Sequence, residues 1–342
     1  MERQQDGKYR AYIEKIGEDL EGVLLKGLEF INWDKYVHKG CRVFVKPNFT
    51  FPYYREGVTT SPELLRCLLA ILKTKAGSVI LGESDGGNNS FKAEDAFKGH
   101  NMHQICRETD VDMVNLSTLP REKVESVILG KKVNVELPKM LLDEIDCFLS
   151  VPVLKVHVIT TVSLSLKNSW GCVPDTMRAL HHQNLSYKLA LIAKMLKPKM
   201  VVVDGTYALN KHGPMFGEPV KTNLVVLADN VVLADALGAT LMGFSPKALQ
   251  HIAVAERAGL GSLSLDDAEI SRDWRPYQRH FQVKRTPIDW LSSLLFHSDA
   301  LARLVMDSPL TPAIYKVASI LRNRDEKAVA SQMSQHERLG PY

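Results

Sequence analysis

The sequence predicts an α/β protein with mostly parallel β-sheets flanked by helices, and three observations carry that expectation. Short apolar runs of strand length recur at residues 41–45, 78–81, 147–151 and 199–203. Segments with apolar residues three and four apart alternate with these runs, which is the pattern of βαβ units. Several runs then end in polar chemistry, at Lys46-Pro47-Asn48, Glu83-Ser84-Asp85, Lys155 with His157, and Asp204. Ligands in open α/β sheets bind beyond the carboxyl ends of the strands, so such endings mark candidate site positions.

Taken in order, residues 14–33 read as an amphipathic helix, with Ile16, Leu20, Val23, Leu24 and Leu28 on one side. A strand follows from Cys41 and is stopped by Pro47, which lacks a ladder donor. Thr60-Ser61-Pro62-Glu63 reads as a capping box opening a helix that buries Leu64, Leu65, Leu68, Leu69 and Leu72. That helix start beside Lys46 is a ready anion site. After the strand at 78–81, residues 94–109 read as a helix, 111–116 as a strand, 132–137 as an edge strand and 138–145 as a short helix. The later pattern gives a helix at 185–196, strands at 199–204 and 223–230, and helices at 232–242 and 245–259, the first of these last two carrying the solitary Asp235. A Gly/Pro loop at 210–217 reads equally as a segment that closes over a ligand or as a plain connection.

This gives two α/β lobes, residues 1–146 and 147–265, and a helical C-terminal extension over 266–342. Apolar helices are expected there at 290–296, 300–306 and 312–321, serving to pack on the protein, to build a homo-oligomer or to lie on a membrane surface, the first being favoured because the basic face that anionic lipid needs is only partial.

Composition excludes several classes. With 43 basic and 39 acidic residues the formal charge is only +4, and no basic run supports nucleic-acid binding. No apolar window is long enough for a transmembrane segment and the start lacks a signal-peptide core, so a cytoplasmic protein is expected. The five cysteines are dispersed without a CxxC, so no iron–sulfur cluster or zinc ribbon is encoded.

Candidate chemistry concentrates in residues 149–184, where Lys155, His157, Lys167, Asn168, Cys172, Arg178, His181 and His182 crowd together. His157 and one of the two adjacent histidines would act as acid and base or bind a metal, because imidazole titrates near neutrality and ligates transition metals. Adjacent residues diverge on either a strand or a helix, so His181 and His182 should not both face one ligand. Lys155 and Lys167 would neutralise developing negative charge. Lys46, Asn48, Thr59, Thr60, Asn168 and Arg178 would hold an anionic substrate, and Glu83, Asp85, Asp204 and Asp235 would bind a metal or support its ligands.

The motifs VKPN at 45–48, TTSPELL at 59–65, LGESDG at 81–86, VPVLKVH at 151–157, SLKNSWG at 165–171, VVDG at 202–205 and ADNVVLADALGATLMG at 228–243 resemble the domain-of-unknown-function family numbered 362. Many of its members add a cysteine-rich ferredoxin-like segment, which this chain does not have. A more distant likeness is to nickel-dependent lactate racemase, in which a His, a Lys and another His lie in one stretch. That resemblance implies a nickel-pincer nucleotide held by Lys167, with His157 and His181 or His182 moving protons and hydride. Lys46-Pro47-Asn48 stands where the racemases carry their nucleotide-binding loop.

The expected function is an enzyme acting on a small anionic metabolite at a His/Lys-lined site, with nickel or iron as its transition metal, by isomerisation or redox chemistry. Two alternatives stand beside it: a mononuclear iron oxidoreductase, in which two histidines and a carboxylate hold the metal, and a non-catalytic binding or assembly protein.

Overall fold

The computed structural model describes residues 8–287, Asp289 and Ser298. The helices expected at 290–296, 300–306 and 312–321, and the oligomer contact expected from them, lie outside the described residues. The described residues form two compact units, 8–178 with 184–283, and 179–183 with 284–287, Asp289 and Ser298. The first unit carries the sheet. In the second, residues 179–181 continue a 3-10 turn begun at Arg178, and the His182 N–H donates to the Ala179 carbonyl.

The strands of the first unit are β1 (Arg10–Lys15), β2 (Arg42–Lys46), β3 (Ser78–Glu83), β4 (Asp112–Asn115), β5 (Arg121–Ile128), β6 (Lys131–Pro138), β7 (Cys147–Ser150), β8 (Val153–His157), β9 (Thr161–Ser163), β10 (Met200–Asn210), β11 (Glu218–Ala228) and β12 (Glu269–Ile270). The helices are α1 (Leu20–Phe30), α2 (Pro62–Lys73), α3 (Ala93–Gly99), α4 (Met102–Thr109), α5 (Lys139–Asp143), α6 (Ser165–Asn168), α7 (Leu185–Leu196), α8 (Val231–Leu241) and α9 (Gln250–Arg257).

One ten-stranded sheet runs in the order β12-β1-β11-β10-β7-β2-β3-β4, with β8 on β10 and β9 on β8. Among its described strands only β11 and the short β9 run against the rest, so the mostly parallel α/β reading holds. The boundary expected between residues 146 and 147 falls inside this sheet, because β7 pairs with β2.

Alternation along the strands divides the core by face. Phe44, Phe148, Val201 and Val203 join one apolar cluster, packed with α7, α8, α9 and the β5–β6 hairpin. Val43, Val45, Cys147, Leu149 and Val202 join the other, packed with α1, α2, α3 and α4. This is the period-two geometry of a strand buried on both faces. Phe44 and Phe148 lie opposite each other across β2 and β7, with ring centroids 5.4 Å apart.

Several local readings change. Residues 10–15 form a strand because Ala11, Tyr12 and Ile13 are buried between β11 and β12. Helix α1 begins only after Asp19, whose carboxylate accepts from the Gly22 N–H at 2.8 Å. The helix expected at 94–109 breaks in two at Asn101, which takes φ +57°. The cap of α2 is Ser61 rather than Thr60, since its Oγ accepts from the Leu64 N–H. Pro152 interrupts what would be one strand, ending β7 at Ser150 and restarting it as β8 at Val153.

Gly82 in β3 faces the Phe44 ring, and a Cβ there would come within 2.4 Å of it. Replacing Gly82 by Ala should destabilise the chain by about 1–3 kcal/mol through overpacking. Phe44→Leu in the same chain should recover part of that loss, as a double-mutant cycle in denaturant would measure; strict additivity would contradict the contact.

Candidate functional site

The strand order reverses direction of travel between β2 and β7: the chain steps outward from β2 to β3 and β4, and from β7 the other way to β10. Such a switch point leaves a crevice at the carboxyl ends of the two strands. Lys46 ends β2, Ser150 ends β7 and Glu83 ends β3, so polar side chains gather there.

At the centre is a buried ion pair. Lys46 Nζ lies 2.6 Å from one Glu83 carboxylate oxygen and 2.7 Å from the other, and also donates to the Pro47 carbonyl at 2.8 Å. Glu83 accepts the Phe49 and Ser84 N–H groups at 3.1 and 3.0 Å. A buried pair survives only with its remaining lone pairs and protons satisfied, and here they are. Gly171 lies against the pair, where a Cβ would stand 3.1 Å from Lys46 Nζ.

Beside it runs a directional amide relay. Lys155 is completely buried in β8, and its Nζ donates to Asn48 Oδ1 at 2.6 Å, the Val58 carbonyl at 2.6 Å and Thr50 Oγ1 at 3.0 Å. An ammonium can only donate, so Asn48 must turn its oxygen to Lys155 and its Nδ2 away. That Nδ2 donates to Asn168 Oδ1 at 2.9 Å, and Asn168 Nδ2 then donates to the Lys46 carbonyl and Ser150 Oγ at 3.2 and 3.1 Å. Thr60 ties the same strands together, accepting from the Asn48 N–H and donating to the Val151 carbonyl. Thr59 accepts from the Arg55 N–H in the loop that covers Lys155.

Lys167 differs from these. It lies on α6, is only half-buried, and has no hydrogen-bond or carboxylate partner among the described residues. Burial by surrounding protein, reinforced by the Arg178 charge, lowers its pKa to about 8. Arg178 spends three of its five N–H donors on the carbonyls of Val173, Asp175 and Asp85. Burial and the Lys167 charge also depress Lys155 strongly, with Lys46 adding to the effect and Glu83 opposing it.

The aspartates are structural clamps. Asp85 accepts from the Ala93 N–H, Lys92 and Asn115, and these hold its carboxyl below its ordinary value against the opposing pull of burial. Asp204 accepts from the Ser61 N–H at 2.7 Å and the Thr206 N–H at 2.9 Å. The anion expected at the α2 start is therefore the protein's own carboxylate. Asp235 accepts the Ser165 and Leu166 N–H groups at 2.7 and 3.0 Å, capping the turn that presents Lys167 and Asn168. Burial raises the Asp235 pKa to about 7.

His157 ends β8 and its Nδ1 accepts from the Ile159 N–H at 3.1 Å, which places the ring proton on Nε2. His181 and His182 belong to the second unit. Among the described residues no three His, Cys, Asp or Glu side chains converge on a metal position. Glu83, Asp85, Asp204 and Asp235 are each engaged in the contacts given above.

Sequence reasoning missed His251, Ser165 and Ser150. His251 on α9 is buried with its Nε2 unpartnered, and burial together with the Lys167 charge lowers its pKa to about 3. Ser165 Oγ is likewise buried without a partner. Only the packing of α9 on α7 and α8 brings His251 under the influence of the Lys167 charge, so no local signal marked His251.

Two outcomes test this arrangement. Lys46→Met should cost about 3–5 kcal/mol because it strands a buried carboxylate, and adding Glu83→Gln should restore much of the loss; equal stability of the single and double variants would contradict the pairing. Asp235, raised in the fold, supports stability fully below the unfolded value near 3.9 and loses that contribution as pH rises through about 7. Denaturant midpoints between pH 4 and 7 should therefore fall more steeply in the wild type than in Asp235→Asn.

Among the described residues no helix is long and apolar enough to cross a membrane. A thylakoid-associated protein of Synechocystis is 25% identical over 234 residues, covering 66% of this chain and 70% of that protein. A crystal structure of a Thermotoga maritima protein is only slightly similar, with 13% identity and a TM-score of 0.34; the match covers 61% of this chain and spans 56% of that one. The motifs that build the β2/β7 crevice fall within residues 43–240, which match the family described as "Domain of unknown function (DUF362)", and the chain belongs to that family.

Proposed function

We propose that the chain is an enzyme that binds a small anionic metabolite beyond β2, β7 and β8 and moves a proton with Lys167. The observation that carries this reading is the half-buried, unpartnered Lys167 amine beside Arg178 and Lys155. With a pKa of about 8, roughly a quarter of it is neutral at pH 7.5. A lysine so tuned serves as a general base, and the surrounding cations stabilise negative charge that develops as a proton leaves carbon. Proton abstraction beside a carboxylate is the isomerase half of the expectation from sequence. Arg178 keeps two N–H donors beyond those given to carbonyls, enough to orient a carboxylate.

The test is deuterium exchange. Incubated in D2O with a panel of 2-hydroxy acids and their dicarboxylic and phosphorylated counterparts, the full chain should label the α-carbon of at least one, as NMR detects. Lys167→Met should slow that exchange by about 100-fold or more. The rate should rise with pH through about 8 as the amine loses its proton. No labelling of any acid, or labelling indifferent to Lys167→Met in a folded variant, would refute the reading.

A further inference from the structure

The main sheet ends in an edge that the described residues leave open. Strand β4 pairs with β3 on one side and with no described strand on the other. The opposite end is blunted, since β12 has only two residues and its Glu269 is tied to Arg10 at 2.8 Å. Along β4 the burial of the inner strands is lost: Asp112 is exposed and Met113, Val114 and Asn115 are half-buried, whereas every residue of β7 is buried. Val114 packs on one apolar cluster and Met113 on the other, so both faces of the sheet stop half-covered at this strand. The Thr118 hydroxyl already serves the Asn115 carbonyl, which leaves Asp112 to Val114 as the open stretch. Unpaired edge groups beside half-covered apolar side chains are a template for another strand.

Beside this edge, the end of α4 and the turn into β4 line an open cavity of about 540 Å³, with His103, Cys106, Arg107, Asp110, Asp112 and Met113 on its walls. Its charges are matched except for two. Asp110 lies 2.7 Å from Lys73, and His103 Nε2 lies 2.8 Å from Glu94. Glu108, next to Arg107 in the chain, is bridged to Arg66 at 3.0 Å. Arg107 donates to the His103 carbonyl of its own helix, and neither Arg107 nor Asp112 has an ion-pair partner among the described residues. One unmatched cation and one unmatched anion on a single patch make that patch complementary to itself.

We propose that β4 is a dimer edge: two copies of the chain pair antiparallel along Asp112 to Val114 about a two-fold axis, with Arg107 of each copy facing Asp112 of the other. A second copy is the occupant that the charges select, because a two-fold contact presents the same patch twice and forms both bridges at once. The shared ladder satisfies the open N–H and C=O groups, and the continued sheet completes the cover over Met113 and Val114. So short an edge carries few ladder bonds, so the dimer forms reversibly, and its exposed bridges make it sensitive to salt. Asp112 begins β4, whereas the crevice lies at the carboxyl ends of the strands, so the dimer stands or falls independently of the enzyme reading.

The experiment is sedimentation velocity on the full chain across about a hundredfold range of concentration. The wild type should pass from monomer to dimer as concentration rises. Arg107→Asp and Asp112→Arg should each weaken the dimer about tenfold or more by setting like charges opposite each other. Circular dichroism should stay unchanged, because both side chains are exposed. Mixing the two variants in equal amounts should restore association, since both bridges of the mixed dimer again join opposite charges. The chain carrying both substitutions should dimerise by itself. Amide exchange at Met113 and Val114 should slow as the dimer forms. A chain that stays monomeric throughout the range overturns the proposal. So does a dimer that ignores both substitutions, or one whose loss is not reversed by mixing, since its contact then lies elsewhere or lacks the two-fold pairing.

Discussion

The contact on which the site depends is the ammonium of Lys46 held between the two oxygens of Glu83. It joins the carboxyl ends of β2 and β3 below the crevice and fixes the loop after β2 through the Phe49 N–H. A Cβ at position 171 would stand 3.1 Å from Lys46 Nζ, so a side chain there would press on the pair. A buried pair of this kind brings little net stability, since desolvation offsets most of the attraction. Its value lies in position: neither partner can move without stranding the other.

From that anchor the polar network extends by directional logic. Lysines only donate, so the orientation of Asn48 follows from Lys155, that of Asn168 from Asn48, and the spacing of β2 and β7 from Asn168. The carboxylates perform a parallel task on backbone groups. Asp204 holds the start of α2, Asp85 the start of α3 and Asp235 the start of α6. Each serves N–H groups that a helix start leaves unpaired. The residues that look catalytic by charge are therefore mostly the frame, and the frame leaves Lys167 as the amine without a partner among the described residues.

On the proposed reading, this division is what lets a crevice rich in acids take an anion. Every carboxylate whose contacts are described above is spent on a lysine, an asparagine or backbone amides, whereas two of the lysines face no carboxylate. The proposed anion site therefore rests on local pairing, since the chain as a whole carries a formal charge of only +4. Local pairing, not net charge, sets the preference.

Much of this was legible in the sequence. Apolar runs ending in Lys46 and Glu83 placed those groups at strand ends, and parallel strands in one sheet bring such ends together; Lys155 and Asp204, expected at strand ends too, lie inside β8 and β10, because those strands run on to His157 and Asn210 through pairing with β9 and β11. Short-range patterns failed where a long-range partner decided the outcome. Residues 10–15 became a strand because β11 and β12 flank them, and Thr60 yielded the helix cap to Ser61 because its hydroxyl bridges Asn48 and Val151. The sequence by itself determined which residue types stand at which strand ends, since strand alternation and proline stops are local properties. Only the tertiary structure decided which of them are satisfied. Whether Glu83 neutralises Lys46, whether Asp235 caps α6 and whether His251 reaches the neighbourhood of Lys167 depend on segments 37, 70 and more than 80 residues apart, and no local pattern encodes such distances.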